Sequence, residues 1–152
     1  METRIMRTQT PSKGWHITRW ILQVLLALTF GMAGFMKLTA PIAELAKQMP
    51  WTAQVPVGLV RFIGGAELAG ALGLIVPMLT RIRPALTGLA ASGLALVMAL
   101  AAGFHLVRGE APMVVPSVVL GVLACLVAWG RAKKHQSVSS KQWIAGSLYT
   151  KL

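Results

Sequence analysis

The chain has 152 residues, of which 55% are hydrophobic and only 12% are charged. Soluble domains carry about 25% charged residues, so this composition excludes an ordinary soluble domain and indicates an integral membrane protein. The formal net charge of +11 would suit nucleic acid, because basic patches neutralise phosphate. However, the basic residues flank apolar runs, lack interleaved aromatic side chains and match no nucleic-acid module, so we expect no nucleic-acid partner.

The first 16 residues are polar and basic and are interpreted as a cytoplasmic tail. Four apolar runs of about 20 residues follow, each long enough to cross about 30 Å of hydrocarbon. They predict an all-α integral membrane four-helix bundle, with spans at about residues 17–38, 57–79, 84–106 and 113–130. The first run is interpreted as an uncleaved signal anchor, because it is long and no A-x-A cleavage site follows it.

The connections between the spans differ in length. Tight turns at residues 80–83 and 107–111 make the last three spans antiparallel neighbours. The first connection, residues 39–56, is longer and contains three prolines. We expect it to lie on the bilayer surface, with a short helix near residues 42–49 and with Trp51 at the level of the lipid headgroups.

The distribution of Lys and Arg predicts the orientation. Four of the fifteen belong to the N-terminal region, two to the turn between the second and third spans, and five to the chain from residue 131 onward. These regions share one side of the membrane, so both termini are predicted to be cytoplasmic. The basic, Ser-rich tail, residues 132–152, is predicted either to be disordered or to touch the membrane surface loosely.

Glu67 carries a free-energy cost in the membrane, because it lies ten residues into the second span. At about 1.5 Å per residue it is roughly 15 Å deep, where a charge costs on the order of 2.5–3.5 kcal/mol. Protonation, an ion pair or a wet cavity would relieve that cost. Gly64 and Gly70 share its helix face and allow close helix packing, for which Ala95 and Ala99 offer a matching surface on the third span. Glu67 is therefore expected to face the bundle interior.

Three cations lie in the same half of the membrane as Glu67, namely Lys37, Arg61 and His105. Each is an equally good candidate partner, although any of the three could instead extend to the lipid headgroups. Glu67 could also be a neutral acid that bonds a backbone carbonyl and locks the helices. Taken together, the four side chains predict a polar cavity that opens to the outer side of the membrane.

Other reactive patterns are sparse. Cys125 is the single cysteine, so an intrachain disulfide is excluded, and the residue is interpreted as a small buried hydrophobe. The three histidines lie in different regions, so no metal or haem site is expected. We therefore do not expect the chain to be an enzyme on its own.

Four segments, taken in order, resemble the DoxX-like family of small four-span membrane proteins. They are FGMAGFMKL, RFIGGAELAGALGLIVP, GLALVMALAAGFHL and LVAWGR, within residues 17–131. The resemblance implies a four-helix bundle in the plasma membrane. It also implies a link to membrane redox chemistry, because the family takes its name from subunits of quinone-linked oxidoreductases. The residues of interest carried over by position are Lys37, Arg61, Glu67 and His105.

Three functions are compatible with these features. The preferred one is an accessory subunit or scaffold of a quinone-linked membrane redox system, with a partner protein and a polar cavity for a quinone or a lipid headgroup. The second is a small proton-coupled carrier, which with four short spans would need to form a homo-oligomer. The third is a purely structural membrane protein in which Glu67 serves helix packing. Apart from a quinone or a lipid, no cofactor is evident.

Overall fold

The structure is a computed structural model that describes residues 13–80 and 85–149, with side chains described from residue 17 to residue 130 apart from residues 19 and 81–84. All secondary structure in these ranges is helical, in agreement with the predicted all-α class. The helices are α1 (Lys13–Thr39), α2 (Ile42–Gln48), α3 (Val57–Leu79), α4 (Ala85–Val107) and α5 (Ala111–Tyr149), with a 3-10 helix at Pro50–Ala53.

Four of the helices contain apolar segments long enough to cross a membrane. They are Trp20–Thr39, Val57–Leu79, Ala85–Val107 and Ala111–Gly130. These segments lie within three residues of the predicted spans, so the four-span bundle is confirmed. The backbone of α5 continues to Tyr149, so the disorder considered for the C-terminal tail is not found there. No proline follows Pro116 in the chain, so no pyrrolidine ring removes a backbone hydrogen bond from the rest of α5.

The four long helices form a ring of antiparallel neighbours. α1 packs along α3, α4 packs along α5, α3 contacts α4, and a weaker contact between α1 and α5 closes the ring. We call the end of the bundle that carries α2 and the α4–α5 turn the α2 end, and the other end the opposite end. This arrangement places the last turn of α1, the start of α3 and the last turn of α4 together at the α2 end.

The apolar core lies in the middle and the opposite half of the bundle. Its buried residues are Leu26, Phe30, Ala71, Leu74, Ala91, Leu94, Met98, Ala124 and Val127. The buried Gln23 side chain donates a hydrogen bond to the backbone carbonyl of Leu74. Pro77, three residues further along α3, lacks the N–H that would bond the Gly73 carbonyl.

The connection between α1 and α3 covers the α2 end of the bundle. A short helix occurs in it at Ile42–Gln48, as predicted. Leu45 and Thr52 are buried, and the Trp51 ring packs edge-on against Phe104. The Trp51 ring therefore contacts the end of α4, and its position at the level of the lipid headgroups stays a prediction.

Candidate functional site

A cavity of about 450 Å³ lies between the helices at the α2 end. Its wall is mostly apolar, with the aromatic rings of Phe30, Phe62 and Phe104 among its surfaces. The polar side chains that line it, apart from Trp51, are Thr29, Lys37, Glu67, His105 and Ser117. The structure thus brings three of the four residues of the predicted polar cavity to one wall, whereas Arg61 does not line it.

Lys37 and Glu67 form a buried ion pair across the contact between α1 and α3. Lys37 Nζ lies 2.9 Å from Oε1 and 2.7 Å from Oε2 of Glu67, and the two side chains are only 7% and 3% exposed. Protonation, an ion pair or a wet cavity could relieve the free-energy cost of burying Glu67, and the structure has the ion pair. Removing one partner of such a pair costs about 3–5 kcal/mol, because the other charge stays buried without compensation.

The ion pair forms because two glycines let the backbones of α1 and α3 approach each other. A Cβ atom at Gly34 would lie 2.7 Å from the backbone oxygen of Gly64, and one at Gly64 would lie 2.8 Å from the Cβ atom of Lys37. Small residues at a helix crossing permit this distance. The crossing therefore sets Lys37 and Glu67 at hydrogen-bonding distance.

Arg61 caps the end of α1 and does not contact Glu67. Its guanidinium donates hydrogen bonds to the backbone carbonyls of Lys37 and, at 2.8 Å, of Ala40. The last carbonyls of a helix lack intrahelical partners, and a cation is favourable at that end of the helix dipole. The two roles considered for Arg61, pairing with Glu67 and extension to the headgroups, are thus replaced by a third. Arg61 holds the backbone from which Lys37 projects.

His105 is paired with a residue of the α4–α5 turn. Its Nδ1 lies 2.7 Å from Oε2 of Glu110, while Arg108 Nε donates to Oε1 of the same carboxylate at 2.9 Å. Gly109 has a φ of 70°, which glycine adopts without steric cost, and this turn brings Glu110 back towards His105. The hydrogen bonds with His105 and Arg108 lower the pKa of the Glu110 carboxyl below its ordinary value, so the group is ionised at neutral pH.

The segment Pro50–Ala53 and the residues beside it form a lid over the cavity, fastened to the end of α4. The ring centroid of Trp51 lies 6.1 Å from that of Phe104 and 6.4 Å from that of His105. Arg108 stacks on Phe104 at 5.1 Å and also donates a hydrogen bond to the side-chain oxygen of Gln54. Met49 and Val55 complete the part of the lid that lines the cavity.

The cavity also extends to the outer surface of the bundle between α3 and α4. Leu59 and Phe62 of α3 and Leu100 of α4 line the cavity, and they are 45%, 73% and 66% exposed, respectively. Because the spanning helices contact lipid on their outer surfaces, this side of the cavity faces the bilayer. An apolar molecule could therefore enter it without crossing the aqueous phase.

A model of the DoxX-like family matches residues 21–127, which include every residue of the cavity wall. The chain belongs to the DoxX-like family. Comparisons with curated proteins and with solved structures give no match. Membership establishes the class of four-span membrane protein, and the ligand must be inferred from the geometry of the cavity.

The packing residues predicted for this DoxX-like protein occupy different environments. Gly64 packs on α1, and a Cβ atom at Gly70 would lie 2.6 Å from the Leu94 side chain of α4. Ala95 is half-buried against the core. Ala99 is exposed, so its predicted packing role is corrected. Residues four apart on a helix differ in direction by about 40°, so Ala99 points further away from the contact between α4 and α3 than Ala95 does.

Several residues of the site were not identified from the sequence of this DoxX-like protein. They are Gly34, Trp51, Phe104 and Ser117, together with Glu110 as the partner of His105. A usable signal for Glu110 is its position directly after Gly109, five residues from His105 at the end of a helix. Among the described residues, no group of three or more His, Cys, Asp or Glu side chains could hold a metal ion.

Proposed function

We propose that this DoxX-like protein binds a small, uncharged, mainly apolar molecule of the quinone class within the membrane, as an accessory subunit of a membrane redox system. The observation that carries the proposal is an apolar cavity with an internally neutralised ion pair in its wall. Its volume of about 450 Å³ lies within the range of about 300–1,000 Å³ found for small-molecule sites.

The charges around the cavity favour an uncharged ligand. Lys37 and Glu67 neutralise each other, and Arg108 neutralises Glu110. Little net charge remains in the wall to hold a phosphate or a carboxylate, so a charged lipid headgroup fits the cavity poorly. A quinone carries carbonyl acceptors on an apolar ring and tail, and it suits a wall that is apolar apart from a few polar side chains.

An accessory role is supported by the family and by the reactive groups of the chain. The family takes its name from subunits of quinone-linked oxidoreductases. The described residues offer no set of side chains for a metal, and the sequence has a single cysteine. Electrons for a bound quinone would therefore come from a partner protein, which this subunit would serve by holding the quinone.

The excess of Lys and Arg near the chain ends supports an orientation with both termini in the cytoplasm. The α2 end, with the cavity and its lid, then lies at the outer face of the plasma membrane. The opening between α3 and α4 would admit a quinone from the outer half of the bilayer.

The test is a titration of the protein in phosphatidylcholine nanodiscs with decylubiquinone, followed by tryptophan fluorescence. Quinone rings quench nearby indoles, and Trp51 lines the cavity. We expect saturable quenching, most of which is lost in Trp51→Phe, because Trp51 is the tryptophan that lines the cavity among the residues whose side chains are described. The phospholipid is in large excess, so saturation by the quinone also distinguishes it from a lipid ligand.

A matched pair of variants locates the binding. Ala101 lines the cavity, whereas Ala99 lies on the outside of the same helix. We expect Ala101→Phe to weaken quinone binding by more than about tenfold, since the added ring fills the cavity, and Ala99→Phe to leave it unchanged. Quenching that is linear and equal in wild type, Ala101→Phe and Ala99→Phe would instead favour a purely structural role.

A further inference from the structure

We infer that Lys37 donates a hydrogen bond to a carbonyl oxygen of the bound molecule and thereby selects ligands that carry an uncharged oxygen acceptor. The inference rests on the proposed quinone binding and adds to it a residue that determines specificity. The observation that carries it is a buried ammonium group in the cavity wall, whose partner uses only part of its hydrogen-bonding capacity.

The directions of two helices bring this ammonium group into the bundle. A helical side chain leans towards the N-terminus of its own helix. α1 finishes at the α2 end of the bundle, so Lys37 in its last turn leans back into the interior. α3 begins at the α2 end, so Glu67 leans towards that end and meets Lys37. Both side chains line the cavity, and Lys37 is only 7% exposed. The ammonium group is therefore held in the wall by its partner on the neighbouring helix.

The ion pair leaves a hydrogen of the ammonium group unused. A lysine ammonium has three hydrogens to donate. Lys37 Nζ donates to Oε1 and Oε2 of Glu67, which uses at most two of them, and it has no other partner among the residues that the structure describes. At least one hydrogen therefore remains for a ligand. A quinone has no hydroxyl to donate to the carboxylate, so Glu67 is a positioning residue for Lys37.

The other donors in the wall are already used or are uncharged. The hydroxyls of Thr29 and Ser117 donate to backbone carbonyls of their own helices. Nδ1 of His105 is bonded to a carboxylate of the α4–α5 turn, so Nε2 of the neutral ring has no hydrogen to donate. The indole N–H of Trp51 remains, but it is uncharged and belongs to the half-buried lid. Hydrogen bonds from an ionised donor are about twice as strong as those between neutral groups, so the ammonium group is the strongest donor that the wall offers.

The pairing of the charges decides which acceptor suits this donor. Glu67 already neutralises Lys37, so an anionic ligand would place a second negative charge beside the carboxylate. A hydrocarbon would leave a buried donor unsatisfied, which costs free energy. A carbonyl oxygen accepts the remaining hydrogen and adds no net charge. The site should therefore prefer a carbonyl compound to a hydrocarbon of similar shape.

The first measurement is the infrared spectrum of decylubiquinone in nanodiscs, with the full-length protein in excess over the quinone. The quinone is isotopically labelled at one carbonyl carbon or the other, which separates the two stretching bands. We expect one carbonyl band to move to lower wavenumber on binding, because donation by an ammonium group weakens the C=O bond. The shifted band should persist in Trp51→Phe and in His105→Phe, which remove the other ring N–H groups of the wall.

The second measurement compares ligands with and without oxygen. Decylcyclohexane keeps a ring and a decyl tail but has no acceptor, and its binding is followed by displacement of decylubiquinone from the quenched protein. The double variant Lys37→Met/Glu67→Leu removes the donor together with the charge that would be left unpaired. We expect the preference for decylubiquinone over decylcyclohexane to be about tenfold smaller in this variant than in wild type, the effect of one hydrogen bond from a charged donor.

The outcomes separate the inference from the proposed function. Saturable quenching of wild type with both carbonyl bands at their positions in lipid alone would overturn the inference and leave quinone binding in place. A shifted band that disappears in Trp51→Phe or His105→Phe, or a ligand preference that the double variant leaves unchanged, would overturn it as well. Absence of saturable quenching in wild type would overturn the proposed function itself. The infrared measurement on wild type decides the inference even if the double variant does not fold.

Discussion

The two ends of the bundle differ in how α3 and α4 meet. Towards the opposite end the two helices touch, since a Cβ atom at Gly70 would lie 2.6 Å from Leu94 and one at Gly73 would lie 2.7 Å from Ala90. Towards the α2 end the same helices separate around a cavity of about 450 Å³. Small residues permit close helix packing, so their positions along α3 decide where the bundle is closed and where it can hold a ligand.

The buried polar groups follow the same division. In the opposite half the buried polar side chains described are the uncharged Gln23 and Thr87, whereas in the α2 half they include Lys37, Glu67 and His105. Buried charges persist only when they are paired, and the α2 end supplies the partners. The buried ionisable side chains therefore lie in the same half of the bundle as the cavity, and they form part of its wall.

The largest effect is expected from breaking the buried ion pair. Lys37→Met should lower the free energy of unfolding by about 3–5 kcal/mol, because Glu67 would stay buried without a partner. The matched control is Lys47→Met, which removes a lysine paired with Glu44 where both side chains are more than half exposed. That change should cost less than about 1 kcal/mol. Both are measured by unfolding in detergent mixtures with increasing SDS.

The double variant Lys37→Met/Glu67→Leu tests whether the lost stability comes from the buried Glu67 carboxylate that Lys37→Met leaves unpaired. Replacing both charges by apolar groups is often neutral, so most of the lost stability should return. If Lys37→Met costs no more than Lys47→Met, the buried charges do not hold α1 and α3 together. The contrast between the two ends would then rest on packing alone.

A smaller effect is expected at the crossing of α1 and α3. A Cβ atom at Gly34 would lie 2.7 Å from two backbone atoms of α3, whereas nothing lies within 4 Å of one at Gly93. Gly34→Ala should therefore destabilise the protein by about 1–3 kcal/mol. Gly93→Ala should be neutral or stabilise it by up to about 1 kcal/mol, through helix propensity. Equal unfolding midpoints for the two variants would show that α1 and α3 can move apart freely.

The sequence was sufficient to predict the four spans and the inward direction of Glu67, because hydropathy and residue spacing on one helix carry that information. It was not sufficient to choose the partner of Glu67. Three cations lay at a suitable depth, and the choice depends on the crossing at Gly34, which places Lys37 across from Glu67. The contacts of Arg61 were not predicted, because its partners are backbone carbonyls at the end of α1 and just beyond it, which residue types do not indicate.

The lid could not be predicted for a related reason. It depends on contacts between distant parts of the chain, such as the hydrogen bond from Arg108 to Gln54, 54 residues apart in sequence. Local pattern favoured a surface segment, since the connection contains three prolines and a tryptophan among polar residues. The cavity below it is a space between helices, and its position depends on which neighbouring helix each glycine of α3 faces, which the sequence alone does not give.

The smallest change in stability is expected in the lid. Side-chain contacts hold the lid in place, whereas close backbone contacts hold α1 against α3. Gln54→Ala removes the acceptor of the Arg108 hydrogen bond and should favour lid opening by about five-fold, corresponding to about 1 kcal/mol. Hydrogen exchange of the Thr52 amide, which donates to the Met49 carbonyl within the lid, should speed up accordingly. The free energy of global unfolding should be unchanged, because local opening leaves the core packed.

Gln48→Ala is the control for this change, because Gln48 is exposed at the end of α2 and its side chain makes no hydrogen bond among the described residues. It should leave the exchange of Thr52 at the wild-type rate. Faster exchange in both variants would indicate a generally weak segment, and faster exchange across α4 as well would couple the lid to the bundle. A change confined to the lid in Gln54→Ala would mean that the α2 end can open to solvent while the opposite end stays closed.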